Sequence, residues 1–255
     1  MSNQGNHISF YVPDWPVPEN VKALTTQRGG GVSKSPWDSM NLGWAESCGD
    51  DPSDINHNRA ALRETLQLKS EPIWMQQVHG VDCFVLESND AVSIPCADAA
   101  TTQCEGRAIA VLTADCLPVF LSSEAGDEVA VIHAGWRGLL AGVIQNTVKK
   151  MHASPENIVA CFGPAIGPDA FEIGAEVRDA FIKKTCFSAK SFKPVKEHKY
   201  LADIYRLARQ ALADAGVDSV FGGEQCTYHQ EQHYFSYRRD GVTGRMASLI
   251  WIEPR

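Results

Sequence analysis

Val129-Ala130-Val131-Ile132-His133-Ala134-Gly135-Trp136-Arg137-Gly138 is the stretch on which the fold turns. Its first four residues are apolar without a break, which suits a short strand buried on both faces. The run stops at a histidine. Gly135 and Gly138 then allow a tight path. Leu140, Val143, Ile144, Thr147, Val148 and Met151 follow at helical spacing, predicting a helix that starts just after Gly138. A buried strand that passes a histidine to a turn, with a helix beyond, can stand that side chain in a cleft.

The same grammar recurs outward from this stretch. Residues 108–112 form a second apolar run, leading into Thr113-Ala114-Asp115-Cys116-Leu117-Pro118. Residues 158–162 form a third, leading into Gly163-Pro164-Ala165-Ile166-Gly167-Pro168. Residues 21–27, 217–221 and 247–252 also read as strands. Residues 81–86 alternate after the corner at His79-Gly80 and suit another. Helices are expected over residues 53–68, 175–184 and 202–215. Ser53 is placed to cap the first, whose Ile55, Leu62 and Leu66 share a face, and Gly216 ends the last. Strands and helices intermingle without strict βαβ order. The expectation is therefore an α/β domain with mixed sheets flanked by helices, α+β being the alternative, and not a doubly wound nucleotide fold. Residues 1–255 are read as one catalytic domain, because no repeat, low-complexity tract or linker divides them.

Composition narrows the function classes. A chain of 255 residues with 44% apolar content can bury a full core. The net charge is −8, and no block of Lys and Arg offers the basic face that nucleic-acid binding needs. No apolar run approaches the ~18 residues of a membrane span, and residues 1–10 lack the pattern of a signal peptide. The expectations are no nucleic acid, no membrane and a cytoplasmic location. Eight cysteines without a Cys-x-x-Cys pair then read mostly as small buried thiols in a reducing compartment.

Three residues stand apart. His79 in Gln76-Gln77-Val78-His79-Gly80, Cys116 and His133 each lie in a phrase of small or turn-forming residues. Two imidazoles and a thiolate are a plausible zinc set with one coordination position left for water or substrate, the pattern of a catalytic site. A closed structural site needs a fourth ligand, for which Cys226 or another histidine is the candidate. Arg137, near the start of the expected helix, is placed to meet a phosphate or a developing negative charge, or is simply a surface arginine after a Gly turn. Asp115 beside Cys116 is a candidate general acid or base, or a turn residue; Glu172 is a second acid candidate. Asn41 and Arg238 are further polar candidates.

Taken together these phrases resemble the YfiH-type laccase-domain family, also called the polyphenol oxidase family. The resemblance rests on Thr26-Gln27-Arg28-Gly29-Gly30, Asn41-Leu42-Gly43, Gln77-Val78-His79-Gly80, Ala114-Asp115-Cys116, the His133 to Gly138 phrase, Gly163 to Gly167, and Ser236-Tyr237-Arg238-Arg239-Asp240. It implies a single α/β domain with zinc held by His79, Cys116 and His133. It also implies phosphorolysis of adenosine, inosine, guanosine and methylthioadenosine, and deamination of adenosine. Purine nucleosides and phosphate would be the small-molecule partners, with Arg28, Asn41, Arg137 and Arg238 as the substrate-binding set. Bacterial members are also called peptidoglycan editing factors. That role implies a UDP-linked cell-wall precursor, and Cys116 would act on it as the nucleophile of an amidase. An older label, multicopper oxidase, implies copper. Eight histidines in all, with no His-x-His pair, argue against a trinuclear copper cluster.

Overall fold

In the computed structural model of the protein, residues 7–88, 93–184 and 186–254 are described. Successive side chains of a strand point to opposite faces, and this alternation builds the layers. In the strand Leu117–Ser123, Val119 and Leu121 meet Ile144, Val148, Leu207 and Leu212 of the helices Val143–Lys150 and Ile204–Asp214. Phe120, between them, turns the other way to join Val111, Val131 and Ile250. In the strand Ile109–Thr113, Val111 faces this second core, while Ala110 and Leu112 face a third that holds Leu62 of the helix Pro52–Thr65. The apolar runs are unbroken because both of their faces are covered.

The central sheet has six strands. Their order is Ser219–Phe221, Ile158–Phe162, Leu117–Ser123, Val129–Ala134, Ala99–Thr102 and Cys83–Leu86. The two outer pairs are parallel and the inner pairings antiparallel, so the sheet is mixed. A second sheet runs Phe10–Tyr11, Val21–Thr26, Met246–Ile252, Ile109–Thr113, antiparallel throughout. A small third sheet joins Phe192–Lys196, Lys199–Ala202 and Glu172–Gly174. The expected α/β class with mixed sheets flanked by helices is what the chain adopts. Among the described residues no helix is long and apolar enough to cross a membrane.

Several boundaries move. The helix expected after Gly138 begins at Trp136 instead, with Gly135 as its extended cap residue. It ends at Gly142, whose φ of 108° only glycine adopts readily, and a second helix continues as Val143–Lys150. Asp51, not Ser53, caps the next helix upstream: its carboxylate accepts from the Ser53 N–H. Asp203 caps Ile204–Asp214, leaving Ala202 in a strand. The strands Ala99–Thr102 and Leu117–Ser123 were not expected. Buried Thr101, Thr102, Ser122 and Ser123 hide the first inside an Ala/Thr tract and blunt the end of the second.

Candidate metal centre and active-site cleft

Thr113-Ala114-Asp115-Cys116 crosses from the second sheet to the central one, joining Ile109–Thr113 to Leu117–Ser123. Asp115 makes that crossing in a left-handed conformation, with φ of 93°. Antiparallel register then sets Pro118 opposite His133 and Leu117 opposite Ala134. Cys116 thus arrives beside the end of the strand that carries His133. The His79 corner, with φ of 58°, closes over both.

The ligand atoms of His79, Cys116 and His133 all lie within 4.8 Å of one another. Cys116 Sγ is 3.9 Å from His79 Nε2, and the two imidazoles meet edge to face at 4.8 Å between centroids. Tetrahedral zinc with ordinary bond lengths sets its ligands about 3.3–3.8 Å apart, so a small contraction closes the set. Glycine makes the cradle. A Cβ on Gly135 would fall 2.8 Å from His79 Cδ2 and 3.1 Å from Cys116 Sγ, and one on Gly138 would fall 2.7 Å from the Gly80 carbonyl oxygen. Both glycines of the opening stretch are therefore space for the His79 loop.

Asp98, fully buried, organises the centre and was not singled out in the sequence. Its Oδ1 accepts from the His79 N–H at 2.9 Å and lies 2.8 Å from His133 Nδ1. Its Oδ2 accepts from the N–H groups of Val78 and Gly80 at 3.1 and 2.7 Å. An ionised carboxylate only accepts, so Nδ1 of His133 carries a proton and Nε2 is the nitrogen left to ligate a metal. Burial would raise the pKa of Asp98, but the His133 and Gly80 hydrogen bonds outweigh it and hold the carboxyl below its usual range. Burial likewise opposes the Cys116 thiolate, yet His133 and His79 bring its pKa down to about 6. Burial disfavours the His133 cation, but Cys116 and Asp98 push its pKa up to about 9. Both shifts favour a thiolate beside an imidazolium in the metal-free centre, so metal binding would keep the sulfur deprotonated and release the proton on His133 Nε2. The sequence signal for Asp98 was a carboxylate alone in the small, apolar tract Ala97-Asp98-Ala99-Ala100.

The triad lies in the wall of a cavity of about 720 Å³. Trp44, Tyr237 and Ile94 give it apolar surface, Arg245 a cation, and Glu46 is the only carboxylate among its described lining residues. Arg245 donates from Nη1 to the carbonyls of Thr243 and Gly244 at 2.8 and 3.0 Å. Thr113 also lines the cavity, and its Oγ1 is buried with no hydrogen-bond partner among the described residues. A buried hydroxyl left without a partner calls for a ligand or a water.

The other sequence candidates fall outside this lining. Asn41 is buried and its amide is committed: it donates to Asp50 at 2.8 Å and accepts from Gly43 and Arg245 N–H groups. Asp115 accepts from Thr227 Oγ1 at 2.6 Å and from the Arg238 N–H at 2.7 Å, so both oxygens tie loops together. Arg238 donates to the Glu172 carbonyl at 2.9 Å, and Glu172 pairs with Lys196 and Lys199 on the small sheet. Arg28 donates to the carbonyls of Asp38 and Glu231 and stacks on Phe235. Arg137 is exposed with its guanidinium 4.4 Å over the Trp136 ring. Cys226, the candidate fourth ligand, lies 3.4 Å from His229 Nδ1 and is not part of the triad.

The family model described as multi-copper polyphenol oxidoreductase laccase matches residues 22–253. The chain belongs to that family. It is similar to relatives named purine nucleoside phosphorylase YfiH from Shigella flexneri and from Escherichia coli, each 51% identical over 94% of this chain and 98% of the relative. Haemophilus influenzae has a relative named purine nucleoside phosphorylase, 44% identical over 94% of this chain and 98% of its own length. Among solved structures, a Neisseria meningitidis protein superposes with a TM-score of 0.90 at 44% identity, covering 96% of this chain and 99% of that one. YlmD from Geobacillus stearothermophilus does so with 0.85 at 30%, covering 92% and 93%. For a laccase-family chain, the described residues hold one group of three or more metal-ligating side chains, the His79, Cys116 and His133 set.

Proposed function

We propose that the protein is a cytoplasmic, zinc-dependent purine nucleoside phosphorylase that also deaminates adenosine. The observation that carries this is the three-ligand set, held by one buried Asp98, in a cleft with aromatic walls and one arginine among its described lining residues. A closed structural site would have a fourth protein ligand; three ligands leave a position for chemistry. Thiolate and imidazole suit zinc, and one such group falls short of a multicopper cluster. Eight free cysteines fit a reducing compartment. The relatives' names give the substrate class.

His79, Cys116 and His133 would hold the ion, which supplies Lewis acidity to an oxygen of the substrate or of water. The protein groups do the rest. Trp44 and Tyr237 offer aromatic faces to a purine, and Arg245 offers positive charge to phosphate. In phosphorolysis a phosphate oxygen bonds to C1′, the C1′–N9 bond breaks, and the electron pair leaves with the base. Glu46 is placed to exchange the proton that the departing base takes up. In deamination water adds at C6 and ammonia leaves, with Glu46 carrying the proton between them. Thr113 Oγ1 accepts or donates one hydrogen bond to the bound molecule. Arg28, Asn41, Arg137 and Arg238 support the walls in this reading and do not touch the purine.

The test is release of adenine or hypoxanthine, with and without phosphate, from protein of measured zinc content, before and after chelation. Cys116→Ala is the control. Zinc-loaded protein that releases no base in a phosphate-dependent manner would sink the phosphorylase reading. The placement of Cys116 Sγ 3.9 Å from His79 Nε2 also favours a second reading, a cysteine amidase acting on a UDP-linked cell-wall precursor. Stoichiometric zinc on the active protein excludes it, because a sulfur bound to zinc is not a free nucleophile.

A further inference from the structure

A second cavity, of about 610 Å³, has a lining of its own apart from Trp44 and Ile94, which it shares with the metal cleft. Helix Pro52–Thr65 supplies Asn56, Arg59, Ala60 and Arg63, residues three and four apart that share one helix face. Pro72, Pro95 and the exposed Ile94 add apolar surface. Glu71 is the only acid among the described lining residues. In a protein of net charge −8, a hollow walled by arginine runs against the overall balance, and neither Arg59 nor Arg63 takes part in the chemistry of the metal cleft.

Arg59 is the group that asks for a ligand. Only 9% of it is exposed, and its guanidinium is clamped between the Trp44 and Trp74 rings at 4.1 and 4.6 Å. Nε and Nη2 donate to the carbonyls of Leu42 and Gly43, which fixes the guanidinium plane and leaves Nη1 without an acceptor among the described residues. Burial pulls its pKa down to about 10, so it stays charged at neutral pH but has lost much of its hydration. A buried cation is costly unless an anion meets it. Glu71 is the acid that most supports its charge, yet that carboxylate is spent elsewhere. One oxygen accepts from the Trp74 indole N–H at 2.7 Å, and the other lies 3.8 Å from Arg63, with both side chains half exposed. The second contact is a loose surface pair that a better-placed anion displaces.

We infer that this cavity is a separate binding site for a small organic anion, whose carboxylate or phosphoryl group is held by Arg59 and Arg63 and whose apolar body lies against Pro72, Ile94 and Pro95. The occupant is a ligand other than the substrate, it stays outside the metal cleft, and the site needs nothing of the nucleoside reading. Guanidinium groups recognise carboxylate and phosphoryl oxygens alike through charge-assisted, geometrically matched bonds. A cavity of this volume takes a ligand of ordinary small-molecule size, and a bare inorganic ion would leave its apolar part to water.

Zinc-quantified protein is titrated calorimetrically with phenyl phosphate, benzoate and inorganic phosphate, before and after chelation. At least one of the two aromatic anions is expected to bind, and the tighter of them names the head group. It should bind more tightly than inorganic phosphate, and chelation should leave its affinity unchanged. Arg63→Ala removes one cation, and Ala60→Glu puts a carboxylate on the same helix face; both positions are exposed, so both variants should keep the parent's Tm. Each is expected to weaken the aromatic anion about tenfold or more, the loss of one charged hydrogen-bonded contact. The inference is overturned if neither aromatic anion binds at millimolar concentration, or if either variant keeps the parent's affinity. It is also overturned if chelation abolishes binding, which puts the occupant in the metal cleft, or if inorganic phosphate binds as tightly as the better aromatic anion, which makes the hollow a free-anion site.

Discussion

Asp98 Oδ1 lies 2.8 Å from His133 Nδ1 and also accepts from the backbone N–H of His79. One carboxylate oxygen therefore fixes the Nδ1 proton of one candidate ligand and the loop position of another. Its second oxygen holds Val78 and Gly80. Asp98→Asn keeps the shape but puts an amide NH₂ where an acceptor is needed. Zinc affinity is expected to fall about 10–100-fold, read by competition with a chromophoric chelator. Asp98→Ala leaves buried donors unpaired and is expected to destabilise the fold by about 3–5 kcal/mol in denaturant titration.

Gly135 is fixed by space rather than by its backbone angles, which any residue adopts. In Gly135→Ala the new methyl would press on both His79 and Cys116. We expect zinc affinity to drop by more than tenfold, with a stability loss of about 1–3 kcal/mol from overpacking. Undiminished zinc binding would show that the cradle has slack the distances do not suggest.

In the metal-free protein Cys116 and His133 contribute to stability with opposite pH dependence. The Cys116 pKa is lowered from 9.0 to about 6, so its contribution is full above 9.0 and disappears as pH falls through about 6. His133 is raised from 6.5 to about 9, so its contribution is full below 6.5 and disappears as pH rises through about 9. Between 6.5 and about 9 the folded and unfolded pair each hold one proton, so the rise from Cys116 offsets the fall from His133 and this pair is expected to leave the Tm of chelated protein level there. Cys116→Ser removes the rising half, so its Tm should decline as pH increases across the same range.

Glu46 is exposed, and no hydrogen bond of its side chain is seen among the described residues. Glu46→Gln is expected to leave Tm within about 1 °C, because surface changes of this kind are worth under ~0.5 kcal/mol. kcat should fall by about 10²–10⁴ if the carboxylate transfers the proton. An unchanged kcat at saturating substrate assigns the proton to solvent instead.

Thr113 Oγ1 has no partner to lose among the described residues. Thr113→Val should therefore change stability by less than about 1 kcal/mol while raising KM, since the bound molecule loses its hydrogen bond. A strongly destabilised variant would mean that the hydroxyl is satisfied in solution by a structural water.

The sequence by itself determined the α/β class and the candidate metal-binding set. Runs such as Val129 to Ile132 are apolar at every position, so they must be covered on both faces, and the chemistry-bearing His133 and Cys116 stand where such runs end or begin. The short phrases around them also gave the family. Tertiary structure alone decided which polar residues meet that set. Asp98 reaches His133 across the antiparallel pairing of Ala99–Thr102 with Val129–Ala134, a register that no local pattern encodes. Asn41, Asp115 and Arg238 looked like site residues because they are polar and sit in well-marked phrases. Their hydrogen bonds instead tie together segments up to 204 residues apart. A polar side chain carries the same letter whether it faces a cleft or satisfies a buried loop, and only the folded chain shows which partners reach it.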